Sequence, residues 1–131
     1  MDESATGPRG DLTMRVPAMP ADANAEGDVF GGWVMSQMDL AAWIRGSERA
    51  HGRVTTVAVN ALAFKKPVKI GDVLCVYTTI ERIGHTSITL LVEAWAQRHL
   101  TRDRVKVTEG SFVVVALDTQ GRPVAVPTED A

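Results

Sequence analysis

The chain has 131 residues, 45% of them apolar and 23% charged, with a formal net charge of −2. These proportions suit one globular domain, and the near-neutral balance gives no electrostatic case for nucleic acid or an anionic membrane as a partner. Cys75 is the single cysteine, which excludes an intrachain disulfide and the paired-cysteine zinc signatures.

In chain order, the polar opening MDESATGPRGD reads as a tail over residues 1–11. It lacks the apolar core of a signal peptide, and no later run approaches the roughly 20 apolar residues of a membrane span. A cytoplasmic protein is the expectation. LTMRV, residues 12–16, predicts a short strand stopped by Pro17, and PAMPADANAEGDVFGG predicts a long structured loop. The run from Gly32 to Ala50 predicts one apolar helix, with His51 in its last turn and Gly52 suited to the left-handed cap. Extended runs follow at 54–64, 72–84, 86–97 and 105–118. In the third of these Ile88, Leu90, Val92 and Ala94 share one face, and Ser87, Thr89, Leu91 and Glu93 the other. DTQGRP turns the chain, and residues 128–131 read as a C-terminal tail.

One helix followed by antiparallel strands predicts an α+β fold with the sheet curled around the helix. A chain this short buries a limited core. A helix that is apolar on most sides then needs cover from a second copy, which could also pair the exposed sheet edges.

Within that helix Asp39 stands among Trp33, Val34, Met35, Met38, Leu40, Ala41 and Ala42. An unpaired buried charge is costly, so such a carboxylate is exposed, paired or functional. From composition alone, a solvated face with Asp39 paired to Arg45 weighs about as much as a functional role.

The motifs N-x-x-G-D-x-F-G-G-W, M-S-Q-M-D, A-H-G-R-V and K-P-V-x-x-G-D-V occur here in one order. Together they resemble the hotdog-fold acyl-CoA thioesterases of the YciA type, over residues 12–127. The resemblance implies a hotdog domain, an antiparallel sheet wrapped around one long central helix. It implies homodimers that commonly assemble as trimers of dimers, hydrolysis of fatty acyl-CoA to free acid and CoA, and no metal or dissociable cofactor. It also implies that Asp39 is the catalytic carboxylate and that Asn24 is its partner. Similar proteins line the CoA groove with a G-R-S/T-S hairpin. Here Gly84, His85, Thr86 and Ser87 occupy it, with His85 in place of the arginine. Two alternatives remain: a hotdog hydratase or dehydratase, and a non-catalytic acyl-CoA-binding module. The hydratases tend to carry a histidine–aspartate pair at the helix, and this helix has no histidine before its end.

The residues suit thioester hydrolysis. Gly31 and Gly32 lie where the helix begins, with amides that have no intrahelical acceptor and room for a ligand oxygen to approach. Either would serve as an oxyanion donor. Asp39 would act as general base or, less readily, as nucleophile, and its apolar neighbours would strip it of water. Asn24 carries both donor and acceptor atoms. Yet Gly31 and Asp39 are eight residues apart, about 12 Å along one helix, too far to serve one carbonyl. The spacing predicts a site shared across a two-fold axis, with Asn24 and Gly31 or Gly32 from one chain and Asp39 from the other. Lys66, Lys69, Arg82, Arg98, Arg102 and Arg104 flank predicted strand ends where CoA phosphates could meet them. Phe30, Trp33 and Met35 would border the acyl chain. Simpler roles exist for several of these residues: Asn24 as a turn cap, Gly31-Gly32 as a tight helix entry, and Lys66 as a solvated strand end. Ser36 lacks the Gly-x-Ser-x-Gly elbow of serine hydrolases, and His51, His85 and His99 have no metal-ligand spacing.

Overall fold

A computed structural model describes residues 7–129. The strands β1 (Asp11–Pro17), β2 (Arg53–Asn60), β3 (Val73–Ile83), β4 (Ser87–Gln97) and β5 (Arg104–Leu117) form one antiparallel sheet in the order β1-β3-β4-β5-β2. Across it lies α1 (Gly31–Ala50). This is the expected hotdog arrangement. Each of the four strand pairings carries one register irregularity. Bulges of this kind bend a sheet and increase its twist, and here the sheet curves around the helix.

The sheet's inner face is built by alternation: Leu74 and Val76 from β3, Ile88, Leu90, Val92, Ala94 and Ala96 from β4, and Phe112, Val114 and Ala116 from β5. Against it α1 turns Val34, Met38, Ala41, Ala42, Gly46 and Ala50, a stripe at helical spacing made mostly of small residues. Small side chains bring the helix backbone close to the sheet. A Cβ at Gly46 would stand 2.9 Å from Val114 Cγ2.

The structure differs from the sequence reading in four places. β2 ends at Asn60, short of Phe64, because Ala61 takes a left-handed conformation (φ 63°). The chain then crosses close over Gly110, where a Cβ would lie 2.8 Å from Leu62 Cδ2, and is held by Lys65 N–H donating to Val107 O. The left-handed residue at the helix end is His51 (φ 54°), with Gly52 N–H reaching Ser47 O in a Schellman-like closure. Arg9 and Asp11, placed in the tail by the sequence, are fastened to the body. Arg9 Nε donates to Glu93 Oε2 at 2.9 Å, and Asp11 pairs with Arg45 at 2.8 Å. Finally, Glu93 sits on the outer sheet face yet is buried, accepting also from Trp95 Nε1 at 2.9 Å. The hydrogen bond from Arg9 to Glu93 and the Glu93 charge raise the Arg9 guanidinium above its ordinary pKa.

The contact at Gly46 sets two effects against each other. Alanine gains up to about 1 kcal/mol of helix propensity, while overpacking costs about 1–3 kcal/mol. Gly46→Ala is expected to lose about 1 kcal/mol net and Gly46→Leu about 3 kcal/mol, read from urea midpoints at one protein concentration. A stabilised Gly46→Leu variant would show that the helix does not depend on this close approach.

Candidate active site

Asp39 lies on the outward side of α1, in the stripe Ser36–Asp39–Leu40–Trp43. It is exposed in the single chain, contrary to the apolar enclosure that its sequence neighbours suggested. The reason is helical periodicity. Val34, Met38, Ala41 and Ala42 turn to the sheet, and Met35, Leu40 and Trp43 remain open at 40%, 48% and 53%. Nor does Asp39 pair with Arg45, which engages Asp11 and Thr78 instead. Its partner is Thr56 on β2, whose hydroxyl donates to Asp39 Oδ1 at 2.5 Å. Asp39 and Thr56 border two pockets. One, of about 250 Å³, is lined with Met35, Ser36, Val59 and Phe112; the other, of about 480 Å³, with Leu40, Trp43, Val54 and Thr55.

Sequence reasoning missed Thr56. A signal was available: Val54 and Thr56 share the β2 face turned to the helix, and a hydroxyl in that position needs a partner.

The loop before α1 is tightly built. Asn24 Oδ1 accepts the Glu26 and Asp28 amides at 3.0 and 3.1 Å, and Asn24 N–H donates to Asp28 O at 2.8 Å. Asn24 thus closes a turn, the simpler of its two expected roles. Asp28 pairs with Lys69, Val29 N–H donates to Val68 O, and Phe30 N–H to Asp22 O. Phe30, in extended conformation, opens the helix, and its carbonyl accepts the Trp33 and Val34 amides. Among the described residues the Gly31 and Gly32 amides have no acceptor.

Gly31 borders a third pocket, of about 410 Å³, with Val29, Val34, Phe64, Lys65, Lys66, Pro67, Val68 and Val107. The Phe64 ring stands over Gly31, within 3.4 Å of where a Cβ would be. Phe30 is exposed beside it, and Trp33 packs partly against the core. This pocket shares no lining residue with the two at Asp39. One chain therefore keeps Gly31 and its carboxylate in separate pockets.

The hairpin between β3 and β4 holds Gly84, His85, Thr86 and Ser87. Gly84 N–H donates to Ser87 O, and Thr86 O accepts from Ala116 N–H. Ser87 pairs with Val115, which pairs in turn with Thr55, so the hairpin base and the Asp39–Thr56 pair share one end of the sheet, two strands apart. Of the expected phosphate cations, Lys69 and Arg98 are engaged inside the chain: Lys69 with Asp28, and Arg98 with the buried Asp72 at 2.5 Å. Lys66, Arg82, Arg102 and Arg104 are exposed. Among the described residues no group of histidine, cysteine and carboxylate side chains could hold a metal ion, and no helix is long and apolar enough to cross a membrane.

Residues 26–102 match the family model of the thioesterase superfamily, and the chain belongs to that family. Over 125 residues, 93% of this chain and 95% of the relative, it is 47% identical to the acyl-CoA thioester hydrolase YciA of Escherichia coli K12. It is thus a YciA-type member of the superfamily. Among solved structures, it is 46% identical to a hexameric thioesterase from Yersinia pestis, covering 92% of this chain and 99% of the other with a TM-score of 0.89. It is 43% identical to HI0827, a hexameric broad specificity acyl-coenzyme A thioesterase, covering 99% and 90% with a TM-score of 0.91. An acyl-CoA hydrolase from Staphylococcus aureus has been solved as an aspartate-to-alanine variant at its position 43 and a threonine-to-alanine variant at its position 60. Each is 26% identical with a TM-score of 0.79, over 89% of this chain and 74% and 75% of the others. Those positions are 60 − 43 = 17 residues apart, the separation of Asp39 and Thr56 here.

Asn24→Ala removes an acceptor for two amides and is expected to cost about 1–2 kcal/mol of unfolding free energy, with faster proteolysis within residues 24–30. Asn24→Asp keeps the acceptor and should restore most of it. Equal stability of wild type and Asn24→Ala would show that the turn stands without its side chain.

Proposed function

We propose that the chain hydrolyses acyl-CoA thioesters to free acid and CoA, at sites that each combine two subunits of a homodimer. The observation that carries this reading is the separation of parts. Asp39, held by Thr56, borders apolar pockets on one side of the chain, and Gly31, whose amide like that of Gly32 has no acceptor among the described residues, borders a different pocket. A two-fold axis relating antiparallel helices would bring the Asp39 of one subunit to the glycine amides of the other. The outward stripe of Met35, Leu40 and Trp43, with Val57 and Val59 on the β2 edge, supplies the apolar surface such a pairing would cover. The hexameric relatives support a trimer of these dimers.

In the proposed reaction Asp39 takes a proton from water as its oxygen attacks the thioester carbon. The Gly31 or Gly32 amide stabilises the oxyanion, the C–S bond breaks, and the thiolate of CoA leaves and is protonated. Thr56 fixes one carboxylate oxygen and leaves the other for the water. Both lone pairs of Asn24 Oδ1 serve the turn, so Asn24 would assist only through its Nδ2–H donors, besides holding the loop that presents Phe30, Gly31 and Gly32. Lys66 at the helix-mouth pocket and the Gly84–Ser87 hairpin would meet the CoA portion, and Phe30 and Trp33 the substrate near its acyl end. The chemistry proposed uses no metal or dissociable cofactor, CoA being part of substrate and product. A cytoplasmic location belongs to the same reading, since the lone Cys75 needs no oxidising compartment.

Asp39→Ala is expected to lower kcat for thiol release from acyl-CoA by about 100-fold or more. Gly31→Pro tests the oxyanion donor, because proline is tolerated at the first helical position and Phe30 already has the extended conformation it requires. It removes the N–H and should lower kcat by about 100-fold or more; if Gly31→Pro is fully active, the donor is Gly32 or absent. Mixed equally and allowed to exchange, Asp39→Ala and Gly31→Pro subunits should recover about a quarter of wild-type activity, since half the dimers are mixed and each has one intact site. Absence of recovery after demonstrated exchange would sink the shared site.

A further inference from the structure

Beyond β5, residues 118–129 form no strand, yet they are fastened to three separate parts of the molecule. Asp118 Oδ1 closes the turn by accepting the Gln120 and Arg122 amides, both at 2.9 Å. Val124 N–H donates to Ala116 O at 2.9 Å, and Val126 N–H to His85 O at 2.8 Å. The Val126 side chain packs against the core. At the far end, Arg49 in the last turn of α1 donates Nη1–H to Pro127 O at 2.6 Å, and its Nε lies 3.5 Å from Glu129 Oε1. His51 Nε2 stands 3.7 Å from Glu129 Oε2. The segment therefore runs from the end of β5, past the tip of the β3–β4 hairpin, to the C-terminus of the helix.

What it holds at the hairpin is specific. Gly84 N–H and Thr86 O are already bonded to Ser87 and Ala116. The turn is tight, since a Cβ at Gly84 would fall 2.5 Å from Ser87 Oγ. The carbonyl at the tip, His85 O, is the one that Val126 holds. A hairpin that offers a ligand backbone groups, hydroxyls and an imidazole has no long flexible cation with which to reach. Its contacts depend on where its backbone stands.

We propose that residues 124–129 are a strap that sets the position of the Gly84–Ser87 hairpin over the nucleotide half of CoA, with Arg49 as its positioning residue. The proposal rests on the acyl-CoA reading above. The strap connects the hairpin to the end of the helix that carries Asp39, so the place where the nucleotide rests and the place where the carboxylate stands share one rigid frame. Arg49 touches neither substrate nor reacting atoms. Its effect is confined to the part of the substrate that the hairpin meets.

The test compares butanoyl-CoA with butanoyl-pantetheine, which carries the same thioester without the nucleotide. Thiol release from either substrate by the wild type first settles the parent reading. In Arg49→Ala, KM for butanoyl-CoA is expected to rise about tenfold with kcat little changed, as the loss of a charged hydrogen bond implies. The kcat/KM for butanoyl-pantetheine should stay within about twofold. Arg49→Lys, which keeps a donor for Pro127 O, should recover most of the CoA affinity. Hydrogen exchange gives a readout independent of activity: the Val126 and Ala116 amides should exchange faster in Arg49→Ala, while those in the middle of β4 do not. Equal losses on the two substrates would reduce Arg49 to a general stabiliser and overturn the strap, and so would an unchanged KM for butanoyl-CoA.

Discussion

The helix of this protein rests on its sheet through alanines and a glycine, and the rest of the structure follows from that close approach. With Ala41, Ala42, Gly46 and Ala50 turned inward, α1 lies near enough to the sheet for a β2 hydroxyl to reach a helix carboxylate. The bulky residues of the same helix, Met35, Leu40 and Trp43, are left on its other side. A helix with large side chains inward would stand farther off, since interaxial separations depend on the residues at the contact. Thr56 would then lose Asp39. One packing choice thus fixes the candidate general base and leaves an apolar face that a second subunit can cover.

The elements themselves were legible because their periodicities are clean. The helix, the alternation in β4 and the succession of elements along the chain follow from residue pattern alone, and DTQGRP closes as the turn it resembles. The surroundings of Asp39 were less legible. Its sequence neighbours are mostly apolar, but the 3.6-residue period divides them between two faces, and only the fold says which face is covered. Thr56 was missed for a related reason. Its inward place on β2 called for a partner, but it lies 17 residues away on another element and nothing local names Asp39 as that partner. The end of β2 was misplaced because the apolar character of the run continues past Asn60 while the backbone at Ala61 does not stay extended. The C-terminal residues look like a tail, since a segment anchored by single hydrogen bonds to three other places leaves no pattern in its own sequence.

The motifs that gave the resemblance mix scaffold with chemistry. In N-x-x-G-D-x-F-G-G-W, Asn24 closes a turn and Asp28 pairs with Lys69, while the two glycines open the helix. In K-P-V-x-x-G-D-V, Gly71 adopts a positive φ of 92° and the buried Asp72 accepts from both Lys69 N–H and Arg98. Asp28 and Lys69 also form an isolated bridge. The two motifs therefore fasten to each other, and both supply residues that line the pocket at Gly31. Two cations that looked available for phosphate turn out to hold this scaffold. That leaves Lys66 at the pocket itself.

The open edge of β2 has a bearing on how the protein must come into being. Its outer side offers an unpaired row of backbone groups flanked by Val57 and Val59, with no lysine or proline inside the strand to discourage a stranger. A newly made copy is thus adhesive from the moment it folds. For the dimer proposed above, finding a sibling competes with sticking to whatever else is near, and the outcome depends on how many siblings are at hand. Dilute synthesis and crowded synthesis should therefore yield different fractions of usable product from the same message.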